Sequence, residues 1–473
     1  MNGNKIAAIK EGAILTFILI GGVKLFRRSE LNTHTSSKDI LTSKVYAPAY
    51  TIIDNKVYDV RDFILDHPGG PIILTHVGRD GTDAFHTFHP DSSWETLANY
   101  YVGDIHPDDV INQDSKPSFL TDIRKLKDKY YKLGYFNADM GFYTYKCLST
   151  VSIFALSVTI LYNFSSSWFG IIPSAMIMGL FWQQCGWLSH DFLHHQVSDN
   201  RDINNAIGGL FYGAVCQGFS MSWWKDKHNT HHAAPNVYNE DPDIDTHPFL
   251  AWSEQAMELY ADLNDQEMSS RMKKFMLTNQ AIIYFPLLTF ARLSWCTYSL
   301  WFCFSRGTLS NPNKIPINIE FSEKAALLTH WFITLSITVF MPSTWIQSLV
   351  FFIVCQASCG VLLASVFSLN HNGMAVISTE EADNMDFYTK QVITGRDVTP
   401  SHFIQWFCGG LNYQVEHHLF PALPRHSLPK VQADIEALCK KHGIPYHMTG
   451  FIDGTKEVLD RLQKIATNIN DQI

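Results

Sequence analysis

Four long apolar stretches divide this chain, and three histidine clusters follow them: His190-Asp-Phe-Leu-His194-His195, His228-Asn-Thr-His231-His232 and Gln414-Val-Glu-His417-His418. The stretches come in pairs. Residues 147–164 and 168–188 are joined only by Ser165-Ser166-Ser167, and residues 325–340 and 345–369 form a second hairpin. Each is near the roughly 20 residues with which a helix crosses a bilayer. Two hairpins return the chain to the side it left, so all three clusters share one aqueous face, whereas an odd span between them would separate them. Residues 276–304 are apolar enough to compete for that role. Pro286 and Arg292 interrupt them, however, and Trp295, Tyr298 and Trp301 favour the interface, so an interfacial helix pair is expected there. The basic residues within 124–132, with Lys225, Lys227, Lys273 and Lys274, mark the shared side as cytoplasmic. A mean hydropathy of −0.04 hides the apolar spans because the polar ends dilute them.

The clusters have the spacing of ligands. Residues three and four apart share a helix face, so His190 and His194 point the same way, His228 is overhung by His231 and His232, and Gln414 stands in the same relation to His417 and His418. Imidazole suits zinc, copper, iron or nickel, so residue type alone does not name the metal. The zinc-protease pattern His-Glu-x-x-His and the carboxylate-rich Glu-x-x-His pairs of soluble di-iron bundles are both absent from these clusters. So many imidazoles suggest two metal ions.

The nine cysteines lie mostly in or beside apolar segments without paired spacing, and no disulfide framework is expected. Cys355 and Cys359 read as small packing residues on a span. A net charge of −9 argues against a nucleic-acid partner.

Ahead of the membrane part, residues 45–105 alternate strand-like runs with turns and short helices and contain Asp66-His67-Pro68-Gly69-Gly70, followed by Asp83-Ala-Phe85-His86-Thr-Phe88-His89-Pro90. His-Pro-Gly-Gly resembles the first axial haem-ligand loop of cytochrome b5. Phe63, Ile73, Leu74 and Phe85 would line the pocket, and His86 or His89 would be the second ligand. Two histidines saturate haem iron and give an electron carrier.

Together these features resemble the front-end fatty acid desaturases with an N-terminal cytochrome b5 domain, over residues 50 to 462. Phe181-Trp-Gln-Gln-Cys-Gly-Trp187, Trp223-Trp-Lys-Asp-Lys-His-Asn-Thr-His-His-Ala-Ala-Pro235, Glu240-Asp-Pro-Asp-Ile-Asp-Thr-His-Pro248 and Thr394-Gly-Arg-Asp397 look like the delta-6 desaturases of oil-producing fungi. The resemblance implies an α+β haem domain fused to an all-α multi-pass membrane domain with four core helices and interfacial helices. The implied reaction is oxygen-dependent insertion of a cis double bond between an existing one and the carboxyl end of an acyl chain, typically linoleate to gamma-linolenate and alpha-linolenate to stearidonate. No side chain can deprotonate an unactivated methylene, so a redox metal must act and the protein supplies position and electronics; two irons are the better expectation. The fused b-type haem domain raises the effective concentration of the electron carrier. With no dinucleotide fingerprint in this sequence, NADH-cytochrome b5 reductase is the implied donor.

The resemblance also distributes roles. His67 and His89 become the axial pair, and the di-iron ligands become His190, His194, His228, His231, His232, His417 and His418, with one more after the fourth span, which Asn370-His371-Asn372 supplies through His371. His195 falls about 140° from His190 on a helical wheel and is a weaker candidate. Gln414 is expected to tune the centre by hydrogen bonding or weak coordination, which leaves a position open. The run Glu240, Asp241, Asp243, Asp245 reads as a solvated loop in which Asp243 or Asp245 could orient imidazoles. His330 reads as a packed histidine within the third span, and His426 is open between roles.

The apolar run from residue 13 to 26, followed by Arg27-Arg28, is short for a span; an added membrane anchor is expected there, with an amphipathic extension as the alternative. The expected organisation is an extension over 1–44, a haem domain over 45–106, a linker over 107–140, a desaturase domain over 141–462 and a tail over 463–473. The expected site of action is the endoplasmic reticulum membrane, with both centres cytosolic. The rivals are a sphingolipid delta-8 or acyl delta-5 desaturase, and a membrane-tethered cytochrome b5 that only relays electrons and leaves the clusters idle.

Overall fold

The computed structural model describes residues 18–20, 23–31, 48–64, 66–67, 69–110, 118–256, 268–305 and 319–472. These fall into two compact units, the first ending at Ser115 and the second beginning at Lys116.

The first unit is built on a five-stranded sheet in which β1 (Ile18–Ile20), β2 (Val23–Phe26), β5 (Tyr101–Ile105), β4 (Lys56–Asp59) and β3 (Tyr50–Ile53) lie side by side in that order. Strands β3 (Tyr50–Ile53) and β4 (Lys56–Asp59) form a hairpin. Its turn residues Asp54 and Asn55 both take positive φ, 49° and 60°, the conformation that a two-residue hairpin requires and that these side chains tolerate. β5 (Tyr101–Ile105) runs antiparallel to β4. The other two strands correct an expectation. Ile18–Ile20 (β1) and Val23–Phe26 (β2) belong to this sheet, β2 pairing parallel with β5, and Phe26 is fully buried in a core with Leu31, Ile52, Val57 and Ile105. The end of the apolar run is therefore sheet rather than membrane anchor, and the module begins upstream of residue 45; residues 13–17 lie outside the described ones. Residues 21–22 also lie outside the described ones; the described part of the run satisfies its backbone in strand pairing, and Leu25 and Phe26 are buried. Gly103 permits the pairing, since a Cβ there would stand 2.2 Å from the Lys24 carbonyl oxygen. Helix α1 (Thr82–Phe88) leads into His89.

The second unit is helical. α2 (Met140–Asn163) and α3 (Trp168–Leu193) form the first expected hairpin, with Ser167 capping α3 by accepting from the Phe169 N–H. α8 (Phe321–Phe340) and α9 (Trp345–His371) form the second, with Thr344 capping α9 through the Gln347 N–H. By length and apolarity alone α2 and α9 can cross a membrane, with mean hydropathies of 1.5 and 2.3. The other two helices carry polar groups inward, among them Gln183, His190 and Asp191 on α3 and Glu323 and His330 on α8. Outward the four helices present Leu148 and Leu156 on α2, Phe169 and Met176 on α3, Phe332 and Val339 on α8, and Leu349 and Ile353 on α9, all exposed. An exposed apolar surface of this extent calls for lipid.

Shorter helices complete the unit: α4 (Asn205–Gln217, a π-helix), α5 (Met221–Ala233), α6 (Gln280–Leu288) and α7 (Ala291–Phe304). After α9 come α10 (Phe387–Ile393), α11 (Gln414–Leu419), α12 (Leu428–His442) and α13 (Phe451–Gln472). At 9 and 14 residues, neither α6 nor α7 is long enough to span alone. The second helix of each hairpin runs further than the sequence suggested. α3 continues to Leu193 and α9 to His371, which carries His190 and His371 on rigid helix rather than on loop.

Candidate haem and metal centres

In the first unit the Nε2 atoms of His67 and His89 face each other at 3.5 Å. Phe85 stacks on the His89 ring at 4.6 Å between centroids, and Phe63 meets the edge of His67 at 5.8 Å. The Phe85 carbonyl accepts from His89 Nδ1 at 3.2 Å, which puts the proton there and turns the Nε2 lone pair inward. Gly69 is required by close approach: a Cβ would lie 2.8 Å from His67 Cε1. His86 points elsewhere, exposed and 3.1 Å from Asp54.

In the second unit four helix segments bring their histidines together. The ligand atoms of His190, His194, His228, His232 and His417 all lie within 4.8 Å of one another, and those of His231, His371 and His418 form a second such group. Nε2 separations are 3.0 Å for His194–His228 and His228–His232, 3.2 Å for His231–His371 and 3.0 Å for His371–His418. Two nitrogens each about 2.1 Å from one ion, at right angles, stand about 3 Å apart, so these spacings fit neighbouring ligands of a common metal. The rings of His232 and His418 stack at 4.2 Å where the groups meet. His190 Nε2 and both ring nitrogens of His417 are buried without a hydrogen-bond partner among the described residues, a rare state for native polar atoms and one that a metal relieves.

Protonation points the same way. Burial, followed by the neighbouring imidazoles, holds His228, His232, His417 and His418 well below the ordinary histidine pKa, and neutral imidazole is the form that binds metal. Burial also acts to lower His231, but Asp241 and Asp243 outweigh it and raise its pKa.

The outer nitrogens are fixed by residues that spacing did not single out. Asp241, completely buried at its side chain, accepts from His231 Nδ1 at 2.9 Å and from the Asn236 N–H at 2.7 Å. Asp243 stands 3.8 Å from the same nitrogen and pairs with Lys227 at 3.2 Å, while Asp245 is exposed. The orienting carboxylate is therefore Asp241 rather than Asp243 or Asp245, because turns at Asn236 and Asn239, both with positive φ, double the loop back onto α5. Gln391 accepts from His418 Nδ1 at 2.7 Å and donates to the His232 carbonyl at 2.9 Å. The Thr394-Gly-Arg-Asp397 stretch is a clamp: the Thr394 carbonyl accepts from His371 Nδ1 at 3.0 Å, Arg396 holds the Leu369 carbonyl at 2.6 Å, and Asp397 accepts from the Val415 N–H at 2.9 Å. The geometry thus ties the ends of α9 and α11 together.

Gln414 reaches the second group, its Nε2 lying 2.7 Å from His371 Nε2 and its Oε1 accepting from Asn370 Nδ2 at 2.7 Å. His195 does not join. It follows the end of α3 with φ 59° and meets Asn204 at 3.3 Å. His330 donates from Nδ1 to the Val215 carbonyl and belongs to neither ligand group, and His426 accepts from the Asp139 N–H.

A cavity of about 200 Å³ opens onto His190, His228, His231, His371 and Gln414 and continues between Trp295, Leu288, Leu363 and Phe367. An apolar channel that runs onto buried imidazoles suits a long hydrocarbon chain.

Comparisons with known proteins agree with both units. Residues 166–450 match the family model described as fatty acid desaturase, and residues 27–106 match the cytochrome b5-like heme/steroid binding domain. An acyl-lipid (9-3)-desaturase of Physcomitrium patens is 37% identical over 93% of this chain and 80% of its own length. A delta(6)-fatty-acid desaturase of Caenorhabditis elegans is 32% identical over 88% and 96%, and a delta(8)-fatty-acid desaturase of Euglena gracilis is 34% identical over 83% and 89%. Family and fold together imply haem, a histidine-bound iron pair and membrane attachment. The chain belongs to the front-end fatty acid desaturases that carry a fused cytochrome b5 domain.

Proposed function

We propose that this desaturase introduces a double bond at carbon six of polyunsaturated acyl chains, converting linoleate to gamma-linolenate and alpha-linolenate to stearidonate. The observation that carries the reading is the apolar cavity that opens onto four imidazoles of the metal-facing groups and onto Gln414. The choice of carbon six is supported by the fungal delta-6 likeness of the motifs and by a relative of that name. When bound, an iron pair supplies the oxidising chemistry, with O2 as co-substrate, that an unactivated methylene demands. The protein's part is to hold the eight imidazoles and Gln414 around it, to keep water from the channel with Trp223, Trp224 and Trp295, and to orient the imidazoles through Asp241, Gln391 and Thr394. His67 and His89 hold the haem, NADH-cytochrome b5 reductase reduces it, and both centres face the cytosol at the endoplasmic reticulum.

Yeast lacking polyunsaturates, expressing this chain and fed linoleate, is expected to accumulate gamma-linolenate, read by gas chromatography of methyl esters with double-bond mapping. A new bond at carbon five or eight, or in sphingoid bases alone, would sink the carbon-six assignment and leave the desaturase intact.

Two further outcomes follow from the geometry. His67→Ala and His89→Ala should each abolish the low-spin b-type spectrum and most activity, while His86→Ala leaves the spectrum nearly unchanged; a normal spectrum in His89→Ala would move the ligand. Asp241→Ala should weaken iron retention by roughly 10–100-fold, the usual cost of losing a partner of a ligating histidine. Non-haem iron measured per haem at limiting iron checks this, and wild-type loading would rule Asp241 out as an orienting group.

A further inference from the structure

The cavity that meets the metal-facing imidazoles ends on a charge. Along α9 its lining residues run from His371 back to Leu363, eight residues or about 12 Å of helix. Arg292 of α7 also lines it and is fully buried. Its guanidinium donates to Gln356 Oε1, seven residues or about 10 Å further down α9 than Leu363. It therefore lies beyond the last lining turn of that helix, at the end remote from the imidazoles.

The guanidinium is held on several sides. It donates to the Gln217 carbonyl at 2.8 Å and to His330 Nε2 at 2.9 Å, and it lies 3.4 Å above the centre of the Trp182 ring. His330 keeps its own proton on Nδ1, bonded to the Val215 carbonyl at 2.9 Å, so it acts as a neutral acceptor. Among the described residues no carboxylate pairs with Arg292, and Arg292 Nε, Gln356 Nε2 and both polar atoms of the Gln217 amide have no hydrogen-bond partner. A charge so placed is costly to bury, and an ionisable group at membrane depth ordinarily has a function.

We propose that Arg292, with Gln217 and Gln356, is a polar floor that limits how far the methyl end of the acyl chain can travel past the metal centre, and so sets the chain length accepted. A methyl group pressed against these buried, unpartnered donors offers them no hydrogen bond and excludes any group that would, and the fixed guanidinium cannot swing aside. The proposal rests on the proposed function, and its test separates the floor from the carbon-six assignment.

Full-length wild type, Arg292→Leu and Gln356→Leu are expressed in yeast fed the natural substrate and homologues two carbons shorter and two carbons longer at the methyl end. All three chains carry the same double bonds counted from the carboxyl group. Conversion is compared within each variant after haem and iron content are matched. In Arg292→Leu the longer homologue should gain roughly tenfold relative to the natural chain, the scale on which a pocket discriminates added methylenes, with the new bond at an unchanged carbon. Should Arg292→Leu fail to accumulate, Gln356→Leu decides by the same ratio because it unlatches the same guanidinium. An unchanged length profile in a fully loaded variant would overturn the floor. A new bond at a carbon other than six in every variant would instead overturn the carbon-six reading, and the length comparison would still decide the floor.

Discussion

Gln414→Ala is expected to keep much of its iron and to lose most of its turnover, roughly tenfold or more, whereas His418→Ala loses iron as well. The difference follows from what each side chain offers. His418 presents Nε2 to its group, 3.0 Å from that of His371, with Nδ1 fixed by Gln391, and its ring also joins the two groups through His232. Removing it deletes a strong donor from a set of three imidazoles. Gln414 is an amide, a poorer donor than imidazole. Its position against His371 and Asn370 lets it adjust the second group without building it, and turning the amide exchanges which atom faces the metal side. Metal analysis and turnover of the two purified variants distinguish the roles. Full desaturase activity in Gln414→Ala would show that the position is structural only.

Metal-stripped protein should lose stability steeply as pH falls below about 6.5, the ordinary histidine value. His228, His232, His417 and His418 have pKas depressed by burial and by one another. The unfolded chain therefore binds more protons than the folded one in this window, and folding stability rises with pH. That contribution is complete above the unfolded value and is withdrawn as pH drops toward the depressed folded values, at about 1.4 kcal/mol per group for each pH unit. His231 has the opposite sign, since its raised pKa favours the folded state at low pH, but it is one group against four. The Tm of the stripped enzyme is expected to fall by many degrees between pH 7.5 and 5.5. A flat profile would mean that these imidazoles are hydrated when the metal leaves.

The residues that could be read from the sequence were those whose placement repeats along a helix. Spacings of three and four put His190 with His194 and His228 with His231 and His232 on helical geometry alone, and the apolar runs place the two hairpins that gather them. His371 followed from the resemblance and lands on the last turn of α9. The acidic run points no more to Asp241 than to Asp243 or Asp245, because a loop has no period: the reach of Asp241 to His231 depends on left-handed turns at Asn236 and Asn239, which the run does not announce. Gln391 and the Thr394 carbonyl were hidden for a related reason, since an amide and a backbone oxygen carry no signature of the imidazole they hold. His195 drops out for a different cause than the helical wheel supplied, because the helix ends at Leu193 and the chain turns left-handed. The N-terminal apolar run misled because strand pairing with a distant β5 competes with membrane insertion, and only the fold reveals that partner.

The measurement that bears most directly on the two-group reading of the histidines is the ratio of non-haem iron to haem in the purified full-length enzyme. Metal analysis set against the b-type absorbance should give two non-haem irons for each haem, one for each buried ligand group, and both should be lost together with desaturase activity on chelation. A ratio of one would reduce the eight imidazoles to a single site with bystanders. A ratio near zero in active enzyme would contradict the account altogether.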